Sequence, residues 1–398
     1  GDPGEDADLQ LKESIGGHIF KCSNGGADSA DYKTFERFSN RVKNEENTLF
    51  LFVHDEAHHS ATRNGRANAC VNDDAVRLSH IHGHSNVITL FVTATPYNLQ
   101  TACSQVPSKN ELDLQTLGTE DDAYIGLKQY RERSAELLVG GSGAGDMPLV
   151  SGTMVSDELA WGAKTKRNTK VSLRAMKQDY GCALRTANVK LRRKLGLGGG
   201  DDASQASAAF ELDNPLTSAT PYTQQMIDDL LLKPLAKGED GAGNMILIRA
   251  PPRVNKKDAR PGQELGKYLR KIRDELGLQD RFEIIVDCDV KGADLGDSVA
   301  SSFKERLTRW NEWNEGRQPK TYEDLHKLPC ILILCERGKM GDTFPKSLRY
   351  YDMRLRYLRG VTTRDAMEQD LGRACRYQID DWPLPTILIT KKLWNDCF

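Results

Sequence analysis

The sequence predicts an α/β protein with two lobes built on parallel sheets, residues 1–104 and 244–398, separated by a mostly helical, basic insertion and linker over 105–243. Three observations carry this expectation. Short unbroken apolar runs, such as Leu49-Phe50-Leu51-Phe52-Val53 and Ile331-Leu332-Ile333-Leu334, stop abruptly in polar residues. That is the pattern of a strand buried on both faces of a parallel sheet. Amphipathic segments with helical spacing alternate with these runs, as strand–helix–strand crossovers require. Between the two lobes, residues 164–194 hold eleven Lys and Arg against one acid, Asp179.

Taken in order, the acidic, Gly-rich residues 1–8 suit a frayed end. His18-Ile19-Phe20-Lys21-Cys22 suits a short strand, and residues 31–43 a helix with Phe35, Phe38 and Val42 on one face. The strand at 49–53 follows, then a helix over 67–78, then a strand starting at Val87. In the insertion, 122–138 suits a helix carrying Tyr124, Ile125, Leu127 and Tyr130, the Gly-rich 140–145 a flexible link, and 154–195 helix in pieces. Residues 196–209 are a low-complexity loop. The second lobe begins with a strand at 245–249. A helix over 265–276, a strand at 282–286 and a helix over 298–313 with Phe303, Leu307, Trp310 and Trp313 come next. Those aromatics could stack on bases, although a spacing of three and four more often marks a core. Strands at 331–334, 348–351 and 386–389 bracket a helix over 363–375, capped by Thr362 or Thr363.

Composition narrows the class. With 398 residues, 38% hydrophobic and 28% charged, the chain is globular and long enough for two or three domains. No apolar run approaches a membrane span and no signal peptide opens the sequence, so no membrane partner is expected. The net charge of −2 points to no particular partner. Nine cysteines without paired spacing suggest an intracellular, reducing compartment, nucleus or cytoplasm, with organelles left open. Cys22, Cys70, Cys103 and Cys182 form no zinc pattern, and His80, His82 and His84 fit a polar loop better than a metal site.

The chemistry gathers at strand ends. His54-Asp55-Glu56-Ala57-His58 closes the first apolar run. Ligand chemistry in open α/β sheets sits beyond the carboxyl ends of strands. Two adjacent carboxylates there suit NTP hydrolysis: Asp55 holds Mg2+ through its water shell, and Glu56 orients or deprotonates the attacking water. A solvated acidic turn would carry the same letters. The basic stretch, with Lys164, Lys166, Arg167, Lys170, Arg174, Arg192, Arg193 and Lys194, suits a phosphate-backbone surface. A solvated helical face, or one packed on acidic protein, is the plainer alternative.

Four segments in order resemble superfamily-two helicases and translocases. Asp55-Glu56-Ala57-His58 looks like the Walker B motif, and Thr93-Ala94-Thr95-Pro96, after a second apolar strand, resembles motif III. Gly338, Gly341, Asp342 and Thr343 after the strand at 331–334 resemble motif V, and Gln369-Asp370-Leu371-Gly372-Arg373-Ala374-Cys375-Arg376 is similar to motif VI, Q-x-x-G-R-x-x-R. The resemblance implies two RecA-like lobes with ATP and Mg2+ in the cleft between them. It implies catalytic roles for Asp55, Glu56, Gln369, Arg373 and Arg376, and nucleotide contacts at Asp55, His58, Gly341 and Asp342. Nucleic-acid contacts fall on Thr93, Thr95 and Thr343, and a larger complex is a further possible partner. Arginine suits the finger role because its planar fork is always charged. Thr93-Ala94-Thr95-Pro96 looks closer to duplex translocases than to DEAH-box RNA helicases, which favours DNA slightly over RNA. Cys375 stands where the family has glycine.

One expected part is missing: no G-x-x-x-x-G-K-[ST] phosphate loop occurs anywhere in the sequence. Either it lies upstream of Gly1, which the non-Met start favours, or it is lost. The first case gives an ATP-dependent helicase or translocase. The second gives a non-catalytic helicase-like scaffold that binds nucleic acid or a protein complex. A different P-loop ATPase is a third, weaker alternative.

Overall fold

The structure, a computed structural model, describes residues 30–54, 84–92, 124–139, 149–156, 172–197, 218–233, 243–251, 260–288, 321–335, 343–356, 364–377 and 382–390. The chain divides into two compact units, residues 1–115 and 116–398. Strand–helix alternation around parallel sheets confirms the α/β class.

In the first unit, helix α1 (Ala30–Asn44) precedes strands β1 (Phe50–His54) and β2 (Val87–Phe91). The strands pair in parallel, from Phe50 with Val87 to His54 with Phe91. Val42 of α1 is buried, and Phe38 meets Phe50 edge-on at 5.7 Å. The Asn86 amide nitrogen lies 3.1 Å from Val42 O, 3.2 Å from Glu45 O and 3.2 Å from Thr48 O. It thereby ties the end of α1 and the turn after it to the start of β2. The expectation of a strand buried on both faces needs correction. Strand alternation sends Leu51 and Val53 to one face with their partners Ile88 and Leu90. These four side chains are 61%, 51%, 54% and 49% exposed.

The second unit contains strand β3 (Tyr124–Ile125), helix α2 (Leu127–Val139), strand β4 (Met154–Ser156), and helices α3 (Leu173–Lys194) and α4 (Pro221–Leu232). Strand β5 (Met245–Arg249), helix α5 (Pro261–Glu275), strand β6 (Glu283–Cys288) and a 3-10 turn (Glu323–Leu325) follow. Strands β7 (Cys330–Cys335) and β8 (Leu348–Asp352), helix α6 (Arg364–Gly372), and strands β9 (Arg376–Tyr377) and β10 (Thr386–Ile389) complete it. Six strands form one parallel sheet in the order β4-β10-β8-β5-β7-β6, and β3 pairs with β9 antiparallel.

Strand alternation builds two apolar layers. Ile246, Ile248, Ile284, Val286, Ile331 and Ile333 pack with α3, α4 and α5 on one face. Leu247, Ile285, Leu332 and Leu334 pack with Tyr130 of α2 and with Met367 and Leu371 of α6 on the other. Both faces are covered, as parallel sheets require.

Caps set the helix ends. Ser172 Oγ accepts from Ala175 N at 3.1 Å to start α3, and Thr220 Oγ1 accepts from Thr223 N at 3.3 Å to start α4. Proline at the first turn opens α4 and α5. Gly196 and Gly277, at φ +69° and +66°, end α3 and α5 in paired return bonds: Gly196 N to Arg193 O and Leu197 N to Arg192 O, and likewise Gly277 N to Asp274 O and Leu278 N to Arg273 O.

Three expected helices are corrected. Tyr124 and Ile125 form a strand ahead of α2, and Met154–Ser156 is an edge strand. The motif VI helix stops at Gly372, three residues short of Cys375, where Ala374 N and Cys375 N turn back to Leu371 O and Gly372 O. The segments expected at 18–22, 67–78, 140–145 and 298–313 lie outside the described residues. Among the described residues no helix is long and apolar enough to cross a membrane.

Candidate functional site

In the second unit the crossover leaving β5 runs through α5 on one face of the sheet, and the one leaving β8 runs through α6 on the other. β5 and β8 are neighbours. Their carboxyl ends therefore flank the topological switch point, where α/β sheets bind ligands. Two buried ionic networks stand there.

The first centres on Arg354, just past β8. Its Nε and backbone N donate to Asp352 Oδ1, both at 3.0 Å, and its Nη2 donates to Asp352 Oδ2 at 2.8 Å and to Thr223 Oγ1 at 2.9 Å. Nη1 stands 3.5 Å from Asp179 Oδ2 of α3. Asp179 accepts from Thr220 N at 2.7 Å and from the Thr223 hydroxyl, and Asp352 accepts from Tyr180 OH at 2.9 Å. Burial opposes the Arg354 charge, but Asp352 and then Asp179 outweigh it and raise its pKa well above the ordinary value. The network bolts the α3–α4 pair to the end of β8.

The second centres on Asp370 of motif VI. One carboxylate oxygen accepts from Arg249 Nη2, at the end of β5, and the other from Arg356 Nε at 2.7 Å. The Asp370 backbone O accepts from Tyr351 OH of β8 at 2.7 Å. Burial opposes the Arg249 charge, and Tyr351 and Asp370 reverse that and raise its pKa. Tyr130 OH of α2 donates to Ala374 O at 3.1 Å. The turn after α6 is thus tied to β5, β8 and α2 at once.

On this framework Gln369 and Arg373 are half-buried, and Arg373 N reaches back to Asp370 O at 3.4 Å. Arg376, also half-buried, directs Nη2 at two main-chain carbonyls, Trp382 O at 3.1 Å and Pro383 O at 2.8 Å. Burial pushes the Cys375 thiol up to about 12. Thr343 is exposed.

The basic helix is partly consumed by protein. Lys177 pairs with Glu264 of α5 at 3.0 Å, Lys190 with Asp228 of α4, and Lys194 Nζ donates to Leu232 O at 3.0 Å. α3 and α4 run parallel, so their carboxyl ends lie together. Lysine and arginine there offset two helix dipoles. Arg174, Arg192 and Arg193 remain exposed.

The other candidates, Asp55, Glu56, His58, Thr93, Thr95, Lys164, Lys166, Arg167, Lys170, Gly341 and Asp342, lie outside the described residues. The strands leading toward Asp55 and Thr93 end level, His54 paired with Phe91. Among the described residues no group of three His, Cys, Asp or Glu could hold a metal ion. Magnesium held by one carboxylate, phosphate and water needs no such cage. Sequence reasoning missed Arg249, Asp352, Arg354, Arg356 and the carboxylate of Asp370. The available signal was Asp352-x-Arg354-x-Arg356, alternating charges directly after a buried strand.

Residues 7–390 match the family described as the circularly permuted SF2 helicase found in GREB1 proteins. The chain is 32% identical to a human GREB1-like protein over 372 residues, covering 86% of this chain and 17% of that protein. It is 31% identical to the mouse GREB1-like protein over 369 residues, 86% and 17%, and 26% identical to human protein GREB1 over 375 residues, 88% and 17%. It therefore spans about a sixth of the relatives' length. With motif order, parallel sheet and family match in agreement, the chain belongs to the circularly permuted superfamily-two helicase-like family found in GREB1 proteins.

Proposed function

We propose that this domain is the ATP-dependent motor module of a nucleic-acid helicase or translocase, with DNA ahead of RNA as the track. The observation that carries the reading is the Asp370 network. It fixes the motif VI turn to the carboxyl ends of β5 and β8, at the switch point where this fold class binds ligands. In the roles proposed, Asp55 holds the magnesium of Mg-ATP through water, Glu56 orients the attacking water, and Arg373 offsets charge on the γ-phosphate. Bound Mg2+ would supply charge neutralisation across the phosphates. Exposed Arg174, Arg192 and Arg193 support a phosphate-backbone contact, together with the basic residues at 164–170.

A second reading, a nucleic-acid or protein scaffold without turnover, is favoured by one observation: no G-x-x-x-x-G-K-[ST] loop occurs in these 398 residues. The family description offers a third account of that loop besides truncation and loss. In a circularly permuted arrangement a phosphate-binding element need not precede Walker B.

The test is paired. ATP turnover of the full-length protein is measured with and without duplex or single strand. Binding of residues 1–398 to ATP is measured by calorimetry and to nucleic acid by anisotropy across a salt series. The motor reading expects nucleic-acid-stimulated hydrolysis in the full protein, weak ATP binding by this fragment, and nucleic-acid affinity that falls steeply with salt. Salt-sensitive binding with no hydrolysis by the full protein selects the scaffold. Salt-independent binding, or none, returns the basic helix to a protein-facing role.

A further inference from the structure

We infer that the two motif VI arginines divide their work: Arg376 is a positioning residue that clamps the main chain entering β10, and Arg373 alone faces phosphate. The Arg373 half rests on the motor reading above. The Arg376 half rests on geometry alone.

Residues 382–384 form the irregular connection into β10. Three successive carbonyls there are each taken by a side chain. Arg376 Nη2 donates to Trp382 O at 3.1 Å and Pro383 O at 2.8 Å, and Ser151 Oγ donates to Leu384 O at 2.7 Å. The Arg376 backbone is itself held, paired with Ile125 across β3 and β9. For this guanidinium to reach a phosphate, both hydrogen bonds must break. Arg373 sits in the short turn between two fixed ends. Asp370 anchors one end through Arg249 and Arg356, and Arg376 anchors the other. A turn held at both ends presents its middle residue in one direction, which is what a phosphate-facing arginine requires. A family motif with two equivalent fingers becomes here one clamp and one finger.

The experiment compares Arg373→Ala, Arg373→Lys, Arg376→Ala and Arg376→Lys in the full-length protein. One arm reads amide hydrogen exchange at Ile387, whose N–H bonds to Thr153 O at 2.9 Å, and needs no nucleotide. Arg376→Ala should speed that exchange by about tenfold or more through local opening. Arg376→Lys should restore most of the protection, because one ammonium can donate to both carbonyls. Neither Arg373 variant should change it. The second arm reads ATP turnover. Arg373→Ala should cut kcat by about 100-fold with little effect on KM, as expected for a charge met in the transition state. Arg373→Lys should not rescue it, because the fork is lost. Arg376→Lys should keep at least about a third of parental kcat, since positioning survives. Unchanged exchange in Arg376→Ala, or lost turnover in Arg376→Lys, overturns the clamp. If the parent turns over no ATP, the motor reading fails, and the exchange arm still decides Arg376.

Discussion

Replacing Asp370 with alanine should destabilise the second unit more than any single surface change. The carboxylate sits between Arg249 and Arg356, and the Arg249 and Asp370 side chains are only 4% and 9% exposed. Removing one partner of a buried pair leaves an uncompensated charge and costs about 3–5 kcal/mol. Arg356, at 15% exposure, can turn partly to water, which favours the low end of that range. With a urea slope of about 3 kcal/mol per molar, a 3 kcal/mol loss lowers the unfolding midpoint by about 1 M. The assay is urea unfolding of the 398-residue chain followed by circular dichroism, with hydrogen exchange of α6 as a local readout. A second variant, Arg249→Met with Asp370→Ala, removes both buried charges. It should recover at least about 1 kcal/mol relative to Asp370→Ala, the signature of coupled partners. A loss under about 1 kcal/mol for Asp370→Ala, or strictly additive single and double variants, would refute the account of this carboxylate as the lock on motif VI.

Other expectations follow from single observations. A Cβ at Gly266 of α5 would stand 2.2 Å from Val286 Cγ2, so Gly266→Ala should cost about 1–3 kcal/mol by overpacking, partly relieved by Val286→Ala in a thermal melt. The Cys375 thiol, pushed up to about 12, should resist iodoacetamide at pH 8 in the native chain and react once unfolded. Its folded value lies above the unfolded one of about 8.5. The stability it contributes is therefore complete below about pH 8.5 and declines as pH rises toward 12, a slope that Cys375→Ala should remove from an alkaline unfolding series. In the full-length protein, Glu56→Gln should abolish ATP turnover while leaving nucleotide affinity largely intact, because it keeps the shape of the side chain and removes the water-handling charge. Equal hydrolysis by mutant and parent would take Glu56 out of the mechanism.

What the sequence by itself determined is local. Apolar runs and their polar stops located β1, β2, β5, β6, β7, β8 and β10, and period and breakers located α1, α5 and most of α6. The motif segments were legible for a similar reason: their spacing is short, and three of the four follow an apolar run, while the fourth lies on α6 and the turn after it. The tertiary structure decided everything that depends on distant pairing. Met154–Ser156 is too short to show a period, and only its parallel pairing with β10 makes it a strand. Tyr180 and Asp352 meet across 172 residues of chain, and Tyr130 and Ala374 across 244. No window of sequence contains both partners. The basic run at 164–194 had a visible charge but not its destination. Folding set Lys177, Lys190 and Lys194 against protein acceptors while Arg174, Arg192 and Arg193 stayed exposed. The same holds for Arg376: its residue type announced a phosphate, and its surroundings supplied two carbonyl oxygens instead, because a guanidinium answers to whichever acceptors the fold brings within reach.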